Sequence, residues 1–274
     1  MTKTIDYAYG TIQGARDYQE DSYGIFLDMD MQQDQYGNGD LLIVCDGMGG
    51  HIGGAAASKM VKEAFFDCFC DHDFAIPDCL SISLNAANKA VADHVAGHPD
   101  MEGMGTTLIA AVITGMSLYW ISVGDSPLWL IRDGEISRLN KDHSMAPVLD
   151  KMAAMGEMSE EDALTDATRN QLRSAIVGEE LSMIDLTTQA FDLLPGDCVI
   201  LATDGVETVP REKIVSLIEG ADQDRSKRAE VLLDAVSSFQ DPHQDNATCV
   251  IASIPGEGKS KKSNFWQKLF GHRG

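Results

Sequence analysis

Four short apolar runs in this chain each meet an aspartate at one end. Leu41–Cys45 runs into Asp46, Leu118–Gly124 into Asp125 and Val199–Thr203 into Asp204, while Asp245 stands just before Ala247–Ile251. Runs this short and this apolar read as buried strands. A carboxylate at the rim of a buried sheet is costly unless something cationic meets it. Carboxylates converging on one edge form an oxygen cage, the donor set that hard divalent cations prefer. The pattern constrains fold and chemistry together: buried strands, with their acidic ends gathered on one side.

The 274 residues suffice for a full core, as one large domain or two small ones. With 43 acidic against 21 basic residues the net charge is −22. That argues against a nucleic-acid partner, which needs a basic face. The acidity is uneven. From Gly256 onward Lys259, Lys261, Lys262, Lys268 and Arg273 face only Glu257, so this tail is near +4 and the body near −26 by simple charge counting. No run approaches the roughly 18 apolar residues of a membrane span, so no transmembrane segment is expected. Met1–Asp6 has no apolar h-region, so no signal peptide is expected. The cysteines are scattered, and Cys68-Phe69-Cys70 has no Cys/His pair elsewhere at zinc spacing. Free thiols in a reducing, cytoplasmic setting are expected.

Along the chain, Tyr7–Gln13, Ser22–Leu27 and Leu41–Cys45 read as strands, with a polar hairpin loop over Met29–Gly39. Ala57, Met60, Val61, Ala64, Phe65 and Cys68 share a helical face, as do Leu80, Leu84, Ala87, Val91 and Val95. Thr106–Leu139 is strand-rich, and Asp133-Gly134 is a hairpin signal. Met145–Arg173 reads as mostly polar and helical, with Met152, Met155 and Met158 packing one side of a helix. Ile184–Ala190 and Cys198–Ala202 return to strand around a Pro195-Gly196 turn. Ala229–Val236 is a late amphipathic helix, and Ala247–Ile254 a closing strand. Strands in adjacent runs, with helices between them, predict antiparallel sheets covered by helices rather than a parallel doubly wound sheet.

Asp46-Gly47 has two readings, a hairpin turn or a ligand loop. The stretch that follows it, Met48-Gly49-Gly50-His51-Ile52-Gly53-Gly54, leads into a helix and not a return strand. Its spacing fits neither a dinucleotide fingerprint nor a phosphate-binding Walker loop. Asp204-Gly205 repeats the arrangement. Arg16-Asp17-Tyr18-Gln19-Glu20-Asp21 is either a charged turn or a guanidinium poised for phosphate beside cation-holding carboxylates.

The order of these pieces resembles the PPM family, the type 2C metal-dependent serine/threonine protein phosphatases. The matching segments are Arg16–Asp21, Asp46-Gly47-Met48-Gly49-Gly50-His51, Gly105-Thr106-Thr107-Leu108, Gly124-Asp125-Ser126, Lys141-Asp142-His143-Ser144, Asp204-Gly205 and Gln244-Asp245-Asn246-Ala247-Thr248. They cover about residues 5–253, and the Asp-Gly-Met-Gly-Gly-His form looks like the bacterial branch. The resemblance implies an α+β fold, a four-layer α-β-β-α sandwich of two antiparallel sheets flanked by helix pairs. It implies a phosphatase domain over 1–255 and a basic tail over 256–274. It also implies two or three Mn2+ or Mg2+ ions. Asp46 would bridge two of them, the Gly47 carbonyl would join one, and Asp204 and Asp245 would hold the other. Asp125 would help hold a third, weaker ion, and Glu20 and Asp21 would act directly or through water. Arg16 would bind substrate phosphate. The implied reaction is hydrolysis of phosphoserine and phosphothreonine by a metal-bridging hydroxide, opposing serine/threonine kinases, in a cytoplasmic monomer.

Two positions depart from the family pattern. Met48 stands where some members carry a histidine proposed as general acid, and Pro127 stands where an arginine often follows Gly-Asp-Ser. His51 and His143 read as structural, and His72, His94 and His98 as surface or helix-end residues. The flap region, 150–178, varies among members. In the tail, Phe265, Trp266, Leu269 and Phe270 lie near helical spacing among basic residues. That segment is expected to be disordered, to fold back on the acidic body, or to touch a membrane surface or partner. Two rivals stay open: a catalytically silent binding module, and a phosphatase for small phosphometabolites.

Overall fold

A computed structural model of the chain describes residues 5–30, 38–49, 52–71, 74–221 and 224–256. The chain enters through β1 (Asp6–Ile12), β2 (Ser22–Asp30) and β3 (Asn38–Cys45), then a two-residue β4 (Gly47–Met48). Two long helices follow, α1 (Ile52–Cys70) and α2 (Ile76–Gly97). Next come β5 (Gly105–Thr106), β6 (Leu108–Thr114), β7 (Ser117–Val123), β8 (Leu128–Arg132) and β9 (Glu135–Arg138). Short helices α3 (Ala146–Ala154) and α4 (Glu160–Thr165) lead to β10 (Asp185–Leu186), β11 (Phe191–Asp192) and β12 (Cys198–Ala202). The chain closes with α5 (Arg211–Gly220), α6 (Arg228–Ser238) and β13 (Ala247–Ser253).

One sheet has the order β1-β13-β12-β8-β9, the other β10-β7-β6-β3-β2 with β11 also on β7. The pairings are antiparallel throughout. The apolar runs are unbroken because both faces of their strands are covered. In β3, Leu41, Ile43 and Cys45 face the α1/α2 layer, whereas Leu42 and Val44 face the other sheet. In β12, Cys198, Ile200 and Ala202 face the α5/α6 layer, whereas Val199 and Leu201 point between the sheets. Three cores thus separate four layers, the α-β-β-α sandwich that the resemblance implied. The Asp133-Gly134 turn between β8 and β9 has φ of 54° and 82°, the left-handed pair that a tight hairpin requires.

The structure corrects the sequence reading in several places. Ile184–Ala190 is not one strand. β10 stops at Leu186, because the Thr187 hydroxyl takes the Trp120 N–H at 2.8 Å in place of a backbone partner. Helix α5 was not anticipated, although Ile214, Val215 and Ile218 are its buried stripe and Pro210 precedes it. The polar stretch after Met145 holds only two short helices. Gly156 turns left-handed at φ 76° just past α3, and Ser159 caps α4 by accepting from Asp162 N at 3.0 Å. Of the three methionines Met155 does not pack, being 64% exposed, while Met152 and Met158 are half-buried and the buried residue of α3 is Leu149. β2 and β3 also run farther than expected, to Asp30 and from Asn38, with a register shift between Phe26 and Met29. The expectations for His51, His72, the loop tip at 31–37 and the tail beyond Gly256 lie outside the described residues.

Candidate metal centre

Asp46 follows β3 directly, and its backbone is clamped on both sides. Thr107 N donates to Asp46 O at 2.8 Å, Thr106 Oγ1 donates to the same oxygen at 2.7 Å, and Asp46 N donates to Thr107 Oγ1 at 3.0 Å. Thr107 Oγ1 also lies 2.7 Å from Ser126 Oγ, which ties the Asp46 and Asp125 loops together. The next residue, Gly47, pairs with Thr106 in the β4/β5 ladder, so Asp46-Gly47 is not a hairpin turn. A Cβ on Gly47 would lie 2.4 Å from Glu20 O, and one on Gly205 only 2.0 Å from Asn246 O. Neither glycine has a positive φ. Each is there because the backbone bearing one acid presses against the backbone bearing another.

The same logic holds elsewhere on the rim. Asp204 opens a 3₁₀ turn (Asp204–Thr208) at the end of β12. The Asn246 side chain accepts from Glu20 N and donates to the Gln13 and Tyr18 carbonyls, fastening the 13–20 loop beside Asp245. His143 is buried. Its N donates to Gly124 O and its ring Nδ1 accepts from Gly124 N, so it braces the turn before Asp125, as expected of a structural histidine. Pro127 stands just ahead of β8, where its carbonyl accepts from Ala202 N at 3.1 Å.

Five aspartates sense one another here. Burial, then the charges of Asp204, Asp21, Asp125 and Asp245, hold the Asp46 carboxyl well above the usual carboxylate range. Burial pushes Asp21 up to about 7 against hydrogen bonds from Thr248 and Thr203, with Asp204 and Asp245 adding to the rise. Burial, then Asp204 and Asp142, push Asp125 up to about 7. Asp204 is raised by burial and then by Asp245. Asp21 Oδ1 is buried with no hydrogen-bond partner, while Oδ2 accepts from Thr203 Oγ1 at 2.9 Å. Such a cluster cannot ionise fully on its own. An all-oxygen, anionic donor set with an unmet buried oxygen fits a hard divalent cation.

Among the described residues no three such side chains already close around one point as a finished metal cage. Arg16 engages one of the acids. Its Nη2 donates to Asp245 Oδ2 at 2.5 Å, so a guanidinium sits on one of the acids. Arg16, Glu20, Asp46, Gly47, Asp125, Asp204 and Asp245 all line one cleft of about 710 Å³. Asp21 lies behind them, on Thr203.

Sequence reasoning gave no role to three members of the site. Arg138 donates to Asp125 O at 2.5 Å and to Asp142 Oδ2 at 3.0 Å, holding the Asp125 turn from β9. Nothing in its surroundings in the sequence signals that reach. Thr106 and Thr107 were visible as part of a matching segment, but their clamp on Asp46 follows only from the β4/β5 pairing.

The protein phosphatase 2C family model matches residues 24–245, a span that begins after Arg16, Glu20 and Asp21. The chain is 32% identical over 223 residues to the serine/threonine protein phosphatase PstP of Mycobacterium tuberculosis, covering 80% of this chain and 41% of that protein. It therefore spans about two fifths of that relative's length. It is 27% identical over 241 residues to the serine/threonine phosphatase stp of Listeria innocua, covering 86% of this chain and 90% of that protein. Among solved structures, the M. tuberculosis phosphatase PstP/Ppp superposes with a TM-score of 0.75 at 28% identity, over 92% of this chain and 99% of that one. The PstP catalytic domain in complex with two manganese ions gives 0.72 at 28% identity, over 92% and 98%. A family model matched from strand β2 to the last of the rim aspartates shows that the chain belongs to the protein phosphatase 2C family.

Proposed function

We propose that the chain is a metal-dependent serine/threonine protein phosphatase. The observation that carries this reading is the set of mutually raised carboxylates, Asp46, Asp125 and Asp204 with Asp21 behind them, at the floor of a cleft that also holds Arg16. Family membership and the two manganese ions of the PstP catalytic domain support it. Asp46, Asp204 and Asp245, with the Gly47 carbonyl, would hold two Mn2+ or Mg2+ ions. Asp125 would serve a third, and Glu20 and Asp21 would act directly or through water. When bound, these ions supply Lewis acidity that lowers the pKa of water and offsets the negative charge of a phosphate monoester.

The chain's own residues do the rest. The Thr106/Thr107 clamp and the Gly205–Asn246 contact fix the acids before any substrate arrives, so little reorganisation is left for the reaction. Arg16, half-exposed on Asp245, is within the cleft and can transfer its guanidinium to a phosphate oxygen pair. Burial of His143 keeps its ring below its ordinary pKa, and it is spent on Gly124, so it is not offered as a proton donor. We further propose phosphoserine and phosphothreonine proteins as substrates, a partner kinase, a monomeric state and a cytoplasmic location. These rest on family membership. Among the described residues no helix is long and apolar enough to cross a membrane.

Phosphate release from a phosphothreonine peptide tests the reading. Turnover with Mn2+ that vanishes in chelator is expected. A folded chain that binds Mn2+ but releases no phosphate from any peptide would favour the binding-module rival. Faster turnover of sugar phosphates than of phosphopeptides would favour the metabolite rival.

A further inference from the structure

In a chain this acidic, most arginines among the described residues find a carboxylate. Arg16, Arg132, Arg138, Arg169, Arg211 and Arg225 each sit in an ion pair. Arg228 is buried and donates to Ser253 Oγ at 2.6 Å. Among the described residues Arg173 alone has a guanidinium with no hydrogen-bond or ion-pair partner. It is exposed, and it lines the cleft that holds Asp46, Asp125 and Asp204. Glu179 and Glu180 line that cleft too, yet neither is paired with it.

The backbone beneath Arg173 is held firmly. Its N donates to His143 O at 2.8 Å, and its carbonyl accepts from Ser182 Oγ at 2.8 Å. On one side Leu172 bridges to Ser144, and on the other Ile176 bridges to Thr106. Ser144 adjoins His143, which braces the turn before Asp125, and Thr106 clamps Asp46. The segment carrying Arg173 is thus stitched to the same two loops that place the acids. A guanidinium fixed at its root and unspent at its tip costs little to engage and presents a fork suited to carboxylate or phosphate.

We propose that Arg173 is a substrate-recognition residue, binding an oxyanion of the phosphopeptide: either the phosphate itself or a carboxylate beside the phosphorylated residue. This rests on the phosphatase reading and adds a specificity determinant on the flap. It differs from Arg16, whose guanidinium is already engaged by Asp245.

Arg173→Ala and Arg173→Lys test it in the full chain with Mn2+, with Arg225→Ala as a control far from the cleft. KM is measured on p-nitrophenyl phosphate and on phosphothreonine peptides with acidic, neutral or basic neighbours. Kd is measured by anisotropy on a labelled peptide carrying a non-hydrolysable phosphonate. Loss of a charged hydrogen bond predicts a rise of about 10-fold or more in KM and Kd for Arg173→Ala. Arg173→Lys should recover part of it, with kcat little changed. A rise on every substrate assigns the contact to phosphate; a rise confined to acidic peptides assigns it to the neighbouring carboxylate. KM and Kd both within two-fold of wild type overturn the proposal. A wild-type chain that binds the phosphonate peptide without turning over any substrate defeats the phosphatase reading, and Arg173 is then judged on Kd. A wild-type chain that does not bind the peptide overturns both.

Discussion

The rim of the sandwich and the flap beside it face the same cleft, but they are built by opposite means. On the rim, Asp46, Asp125, Asp204 and Asp245 stand at the ends of strands buried on both faces, and backbones at Gly47 and Gly205 touch at distances no side chain permits. On the flap, two short helices and an irregular stretch are held by individual bonds: Asp162 N to Ser159 Oγ, Met145 N to Gln171 O, and Met183 N to Ser174 Oγ. The rim concentrates like charge at a cost in folding, and the flap leaves the Arg173 guanidinium unspent. Precision on the rim comes from layer packing, whereas the flap is fastened bond by bond to the loops beside it.

This contrast predicts a graded set of effects. The largest falls on chemistry. Asp204→Asn should lower kcat/KM with Mn2+ by about 100-fold or more while the chain stays folded. Full activity in that variant would remove Asp204 from the centre. Next is packing: Gly205→Ala places a methyl 2.0 Å from Asn246 O, and overpacking of this kind should cost about 3 kcal/mol in urea unfolding. A neutral result would show that the rim backbone can yield.

The third effect is electrostatic. Asp21 and Asp125, near 7 in the folded chain, return to about 3.9 when unfolded. Between those values the folded state holds more protons, so the contribution of these two groups to stability is greatest below about pH 4 and is lost as pH rises through about 7. In chelator the thermal midpoint should therefore fall from pH 5 to pH 8. Asp125→Asn should flatten the fall, and Mn2+ at pH 8 should raise the midpoint by several degrees. A midpoint that climbs with pH in chelator would break the account of the rim. The smallest effect is on the flap surface, where Met155→Lys, at a 64% exposed position, should change stability by less than about 0.5 kcal/mol. A large loss there would show that the flap is packed like the rim.

The same contrast explains what could be read in advance. β3, β7, β12 and β13 announce themselves because each is apolar on both faces, and the acids at their ends follow from them. α5 carried a readable stripe at Ile214, Val215 and Ile218 that went unused. Arg138 was not readable, because its link to Asp125 depends on the β8/β9 hairpin folding back across the sheet. Nor were the flap's bonds, since Ser159 and Ser174 accept backbone N–H groups through their side-chain hydroxyls and leave no periodic trace. Arg16 is legible as a candidate phosphate ligand, but its ion pair with Asp245 is not. Only the fold places those two, 229 residues apart, side by side.

Calorimetric titration of Mn2+ into the full chain near neutral pH tests the central claim most directly: that the acids on the strand ends form one cation centre. The account predicts at least two ions per chain. It also predicts proton release, seen as a heat that varies with buffer, because carboxylates with raised pKa values must give up protons to bind a metal. Asp46→Asn should abolish the tight component. No binding heat, or the same binding in Asp46→Asn as in wild type, would contradict it.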